Sequence, residues 1–171
     1  MIGGGHTHVH LSLYTRIVSW ILFNSTLFQP QWKFGLIPLP RDYTDLMNTS
    51  QNFRCSNSVT GESKTPALCL VCGVLVCSQS HCCETLISGR KCGGCTAHAR
   101  LCGAGVGVFL RIRECLIFIT NKITKGAFLP APYLDEYGET DRGLKRGNPL
   151  YLDEEKYEEL NRFFMNLFIN K

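Results

Sequence analysis

From Val106 to Arg113 the chain alternates, with Val106, Val108, Leu110 and Ile112 interleaved by Gly107, Phe109, Arg111 and Arg113. A period of two predicts a β-strand with one drier and one wetter face. LIFIT at 116–120 predicts a short buried strand, Asn121 and Lys122 a turn, and GAFLP at 126–130 a third strand that Pro130 ends. The pattern then lengthens. In LDEEKYEELNRFFMNLFINK, Tyr157, Leu160, Phe164, Leu167 and Phe168 fall on one face of a helix. Asp153 is placed to cap that helix, with Glu154 and Glu155 against its positive end.

Upstream, Leu13, Ile17, Trp20 and Ile21 have helical spacing, but nothing in that segment would bury the apolar stripe they make. Residues 1–35 are therefore expected to be an N-terminal helix and linker, the remnant of a larger body, and 36–171 a separate domain. IPLP at 37–40 predicts an extended stretch, and PRDYTDLMN a short helix with Pro40 near its first turn. Residues 48–66 are polar and turn-rich, a loop carrying the isolated Cys55. ALCLVCGVLVC at 67–77 is strand-like with cysteines set into it. The small, polar, glycine-containing segment 78–94 predicts a loop, as does 131–149. The architecture implied is α+β: a small domain with a three-stranded antiparallel sheet beside a metal site, closed by a C-terminal helix.

Composition changes this picture in one respect. With 44% hydrophobic and 19% charged residues among 171, and a formal charge of +4, the chain is globular and too weakly basic for a dedicated nucleic-acid binder. Ten cysteines are the exception. The first residues have no basic leader, Arg16 breaks the apolar run, and Ile17 to Phe28 falls short of the roughly 20 residues a bilayer span needs. The expectation is a reducing, cytoplasmic or nuclear setting, no membrane partner, and cysteines directed at metal rather than at one another.

Spacing narrows the ligands. Cys69-x2-Cys72 is followed by Gly73, and Cys95-x2-His98 by Cys102. Tetrahedral zinc takes four sulfur or nitrogen ligands at about 2.0 to 2.3 Å, usually from two close pairs. Cys69, Cys72, Cys95 and His98 fit directly, and Cys102 can replace one of them because His-x3-Cys shares a helical face. Cys77, Cys82 and Cys83 allow a second zinc with His81, Cys92 or whichever of Cys95 and Cys102 is left over; otherwise they are buried thiols, with Cys115 a packing residue and Cys55 a loop residue. A set of several thiolates favours a closed, structural site over a catalytic one. A RING cross-brace needs eight ligands, and Gly103, Ala104 and Gly105 stand where the next should begin. His6, His8 and His10 read as part of a terminal tail. Arg111, Arg113, Lys122 and Lys125 read as a solvated sheet face rather than a phosphate site.

With those residues in view, the chain from about Leu36 to Tyr157 resembles the C-terminal region of the UBR-box E3 ubiquitin ligases, the N-recognins of the N-degron pathway. The motifs are LPRDYTDLMN at 39–48, LCLVCG at 68–73, C-x2-H-x3-CGAG at 95–105, FLRIREC at 109–115, and PAPYLDEYGETD with GLKRGNPLYL between 130 and 152. The resemblance implies a zinc-binding cap on a RING-type ligase that recruits a ubiquitin-charged E2 and modifies proteins with destabilising N-termini. The partners implied are the rest of the ligase, the E2 and those substrates. Zinc falls on Cys69, Cys72, Cys95, His98 and Cys102. UBR box and RING both lie outside this chain, which alone should transfer no ubiquitin. The competing expectation is a free-standing zinc finger that binds a protein terminus or ubiquitin.

Overall fold

The computed structural model describes residues 35–55, 57, 65–78, 82–121 and 125–169, all within a unit spanning Phe34–Lys171. The expected N-terminal helix, the tail histidines, His81 and Lys122 lie outside them, as does the side chain of Phe168.

Leu36 to Pro40 run extended, as the two prolines dictate. The first helix, α1 (Tyr43–Gln51), starts later than Pro40 because Asp42 caps it, its carboxylate accepting the Thr44 N–H at 2.8 Å. Strands β1 (Pro66–Cys69) and β2 (Leu75–Cys77) form a hairpin. A second, small hairpin pairs β3 (Thr85–Ile87) with β4 (Arg90–Cys92), and α2 (Gly94–Cys102) follows. Then come β5 (Val106–Arg111), a 3-10 turn (Ile112–Glu114), β6 (Leu116–Asn121) and β7 (Lys125–Pro130). Two short paired strands, β8 (Tyr133–Leu134) and β9 (Tyr151–Leu152), bracket the last loop before α3 (Glu154–Ile169). As expected, Asp153 caps α3, accepting the Lys156 N–H at 3.1 Å.

The α+β class holds, but the main sheet has five strands, β2-β1-β5-β6-β7, all neighbours antiparallel. The two extra strands come from the cysteine-bearing run. Gly73, with φ +81°, turns the chain back on itself, so that Leu68 faces Leu75, and β1 then lies along the β5 edge. The segment 78–94 is likewise a hairpin, not a loop, in its second half.

Both faces of β5 are covered, which corrects the expectation of one wet face on that strand. Val106, Val108 and Leu110 bury against Tyr43 and Leu46 of α1, Leu160 and Phe164 of α3, and Tyr133. Phe109, on the other face, is fully buried with Ala67 and Cys69 under Cys95 and Ala99 of α2. Gly107 permits this approach, since a Cβ there would come within 2.7 Å of the Ala99 Cβ.

The loop 135–149 is ordered by two buried carboxylates. Asp135 accepts the N–H groups of Tyr137 and Glu139 at 3.0 and 2.9 Å, together with Asn148 and the Arg146 guanidinium. Asp141 accepts the N–H groups of Lys145 and Arg146, both at 2.9 Å, and of Gly147 at 3.3 Å. The backbone bond from Glu139 chiefly holds Asp135 below the usual carboxylate range. Burial works against the Asp141 carboxylate, but the three N–H groups outweigh it and lower that pKa too. Because the folded-state pKa values lie below the unfolded value of about 3.9, this stabilisation is present above that pH and is lost as pH falls through the folded values. Denaturant titrations across the acid range should therefore show stability falling below about pH 4, less steeply in Asp141→Asn. Equal slopes for the two proteins would count against this account.

Candidate metal centres

The hairpin turn brings Cys69 and Cys72 together at the end of β1. The Cys69 N–H donates to the Val74 carbonyl at 2.9 Å, and the Gly73 N–H donates to the Cys69 carbonyl at 2.8 Å. Cys69 pairs in register with Phe109, so its side chain emerges on the sheet face that α2 covers. There α2 presents His98 and Cys102, one helical turn apart. Cys72 Sγ is 3.2 Å from His98 Nε2, Cys69 Sγ is 3.9 Å from Cys102 Sγ, and all four donor atoms lie within 4.8 Å of one another. Two sulfurs bound tetrahedrally at about 2.3 Å from one ion are about 3.8 Å apart, whereas a disulfide holds them near 2.05 Å. None of the ten cysteines forms a disulfide. The spacing is that of four donors able to surround one ion.

Electrostatics agree with this geometry. Burial pushes the Cys69 thiol up, opposed by the backbone N–H groups of Cys72 and Val71, which bond to its sulfur. Burial and the neighbouring Cys72 and Cys69 also push Cys102 up. Burial holds His98 below the ordinary imidazole range, which favours the neutral ring that ligates metal. Thiols crowded in this way gain from a divalent ion that replaces their protons. The His98 ring stands edge-on to Phe109, with centroids 6.0 Å apart, which fixes its plane.

Cys95 is the one expected ligand that the structure leaves outside this group. Cys95 and Cys102 are seven residues apart on one helix, about 10.5 Å along its axis, so they cannot share an ion. Cys95 packs instead with Ala67, Ala99 and Phe109, its thiol pushed up to about 12 by burial.

A second group joins Cys55, Cys77, Cys82 and Cys83, again with all four sulfurs within 4.8 Å. Cys55 lies 3.3 Å from Cys83 and 3.6 Å from Cys82; Cys77 lies 3.2 Å from Cys82. Hydrogen bonding to Cys77, together with burial, pushes Cys82 up to about 11, while burial raises Cys83. Burial also opposes the Cys55 thiolate, but bonds from Cys83, the Asn57 backbone, Cys82 and Cys77 bring that thiol down to about 7. Sequence reasoning missed Cys55 because a long polar loop separates it from the other cysteines. Of the fourth ligands the sequence suggested, Cys92 turns to the Arg90 carbonyl at 3.5 Å, Cys95 is in the core, and Cys102 belongs to the first group. Cys115 is buried in the main core, as expected.

Of the remaining cationic candidates, Arg113 lies exposed on the 3-10 turn and Lys122 is outside the described residues. Arg111 bonds Glu114 at 2.5 Å and lies over the Phe128 ring, and the side chain of Lys125 is outside the described set. Among the described residues no helix is long and apolar enough to cross a membrane.

Fold and site together define a small cysteine-rich α+β domain with two side-chain groups that could each hold a metal ion. The chain belongs to the Proteolysis_6 C-terminal family, the C-terminal region of UBR-family E3 ligases, whose profile matches residues 7–166. It is 52% identical over 135 residues to the E3 ubiquitin-protein ligase UBR2 of Homo sapiens, covering 79% of this chain and 8% of that protein. Identity to UBR1 of Homo sapiens is 49% over 138 residues, 81% of this chain and 8% of the relative. With ubr-1 of Caenorhabditis elegans it is 42% over 132 residues, 76% and 6%. The chain thus spans less than a tenth of the length of these curated relatives.

Proposed function

We propose that this chain acts as the C-terminal zinc-binding domain of a RING-type E3 ubiquitin ligase of the N-degron pathway. In this reading the RING that engages the charged E2 and the UBR box that reads destabilising N-termini lie in other polypeptide. Residues 36–171 form the cap, and residues 1–35 are the remnant of a larger body. The observation that carries the proposal is the 52% identity to a ubiquitin ligase of which the aligned stretch is 8%.

Zinc is the proposed ion at Cys69, Cys72, His98 and Cys102. Three sulfurs and one nitrogen are a soft set, unsuited to magnesium or calcium, and four protein ligands close a tetrahedron with no position left for substrate. The ion would then fix the β1–β2 turn to α2 and perform no step of ubiquitin transfer. Reduced thiols of this kind suit the cytoplasm or nucleus.

The test is association in trans. Tagged 36–171 should capture a human UBR2 body truncated before the matching segment, and in isolation should not discharge ubiquitin from a charged E2. Failure to capture the body, with the domain folded by circular dichroism, would overturn the cap reading. Capture of free ubiquitin instead would favour an independent interaction module.

A further inference from the structure

We infer that Cys55, Cys77, Cys82 and Cys83 form a second, all-thiolate metal centre, occupied independently of the first and of any role in a ligase. Three separate stretches of chain supply its donors: Cys55 beyond α1, Cys77 at the end of β2, and Cys82 and Cys83 in the turn before β3. Four sulfur separations, 3.2, 3.3, 3.6 and 3.8 Å, lie at or a little below the tetrahedral value of about 3.8 Å. All exceed the length of a disulfide bond by more than about 1 Å. Apolar packing alone has no reason to aim four sulfurs at one point beside the polar Asn57.

A second observation concerns Gly94, the first residue of α2. A Cβ there would meet the Cys77 carbonyl oxygen at 2.6 Å and the Cys83 Cβ at 3.3 Å. The helix therefore begins in direct contact with the cluster. Four thiolates around a divalent ion carry a net charge of −2, and the N-terminal end of a helix, with unpaired N–H groups and positive partial charge, stabilises such a charge. The N-cap, Gly93, offers no side chain to those groups.

The two centres divide the labour along α2. The first binds its C-terminal half through His98 and Cys102, and the second abuts its N-terminus. The β1–β2 hairpin spans them, with Cys69 and Cys72 at its turn and Cys77 at its far end. Cys55 ties the chain beyond α1 to the same point. Binding replaces up to four thiol protons by four metal–sulfur bonds, the protons passing to solvent, with no change of oxidation state. Zinc or cadmium fits this set; the closed shell makes it structural.

Cadmium-113 NMR of the cadmium-exchanged chain separates the two donor sets, because an all-sulfur site resonates well downfield of one with three sulfurs and a nitrogen. The expected result is two cadmium ions per chain and two resonances of equal intensity, one of each type. Cys55→Ser should remove or shift only the all-sulfur signal, while Cys92→Ala leaves both. One cadmium per chain with a single mixed-donor resonance would overturn the inference, and so would loss of the all-sulfur signal in Cys92→Ala but not in Cys55→Ser. Should Cys55→Ser fail to fold, the stoichiometry and spectrum of the unaltered chain decide. None of these readouts involves ubiquitin or a ligase body, so the cap reading can fail while this one stands.

Discussion

Cys69→Ser should abolish cooperative folding, whereas Cys95→Ala should leave a metal-loaded domain with a modestly lowered melting temperature. The two thiols are almost equally buried and share one packing cluster, so burial alone predicts similar losses. They differ in what they reach. Cys69 lies 3.9 Å from Cys102 and belongs to the four-donor group; Cys95 does not. A structural zinc site of this kind contributes on the order of 10 kcal/mol, comparable to the entire stability of a domain, about 5 to 15 kcal/mol. Truncating a buried thiol outside the site costs on the order of 1 kcal/mol. Thermal melts followed by circular dichroism, with metal counted by elemental analysis, distinguish the cases. A chelator strong enough to strip the domain should reproduce the Cys69→Ser phenotype. A Cys69→Ser melt close to that of the unaltered chain would refute the assignment.

Phe109→Ala should cost about 3 to 5 kcal/mol, the range for removing a fully buried aromatic ring. Its position makes the upper part of that range the expectation. Phe109 has no solvent exposure, lies 6.3 Å from Phe118, and forms the surface on which the His98 ring rests. Its loss opens a cavity beneath α2 and also frees a metal ligand to rotate, so metal affinity should fall together with stability. Urea denaturation gives the first quantity and competition with a chromophoric chelator the second. A loss below about 1 kcal/mol would mean that α2 is held by metal alone.

Much of this architecture was readable from residue order. Alternation located β5, a short apolar run located β6, Pro130 closed β7, and Asp153 with two glutamates marked the start of α3. The covered face of β5 was not readable, because Phe109 and Gly107 stand at positions a binary pattern treats as wet. Only the placement of α2 shows that the glycine makes room and the phenylalanine fills it. The two ligand pairs shared one spacing but had different local structures. Cys69-x2-Cys72-Gly73 is a hairpin turn, whereas Cys95-x2-His98 lies in the first turns of a helix. Ala97, Ala99, Arg100 and Leu101 are good helix formers and in retrospect favoured His98-x3-Cys102 as the pair. Cys55 joins a group whose other members lie beyond a polar loop, and no local pattern encodes that closure.

The segment entering the domain is fastened to the segment leaving it. The Leu36 N–H donates to Asn161 Oδ1 across 125 positions, the Tyr157 hydroxyl donates to the Ile37 carbonyl, and the Leu152 N–H donates to the Arg41 carbonyl. A ribosome therefore cannot finish this domain piecemeal: its first residues wait unsatisfied until the last helix has emerged, and such long-range closure makes for slow assembly. A premature stop anywhere before Leu152 would deprive the entering segment of all three of these partners, leaving the nascent chain a substrate for proteolysis rather than a shorter version of the same fold.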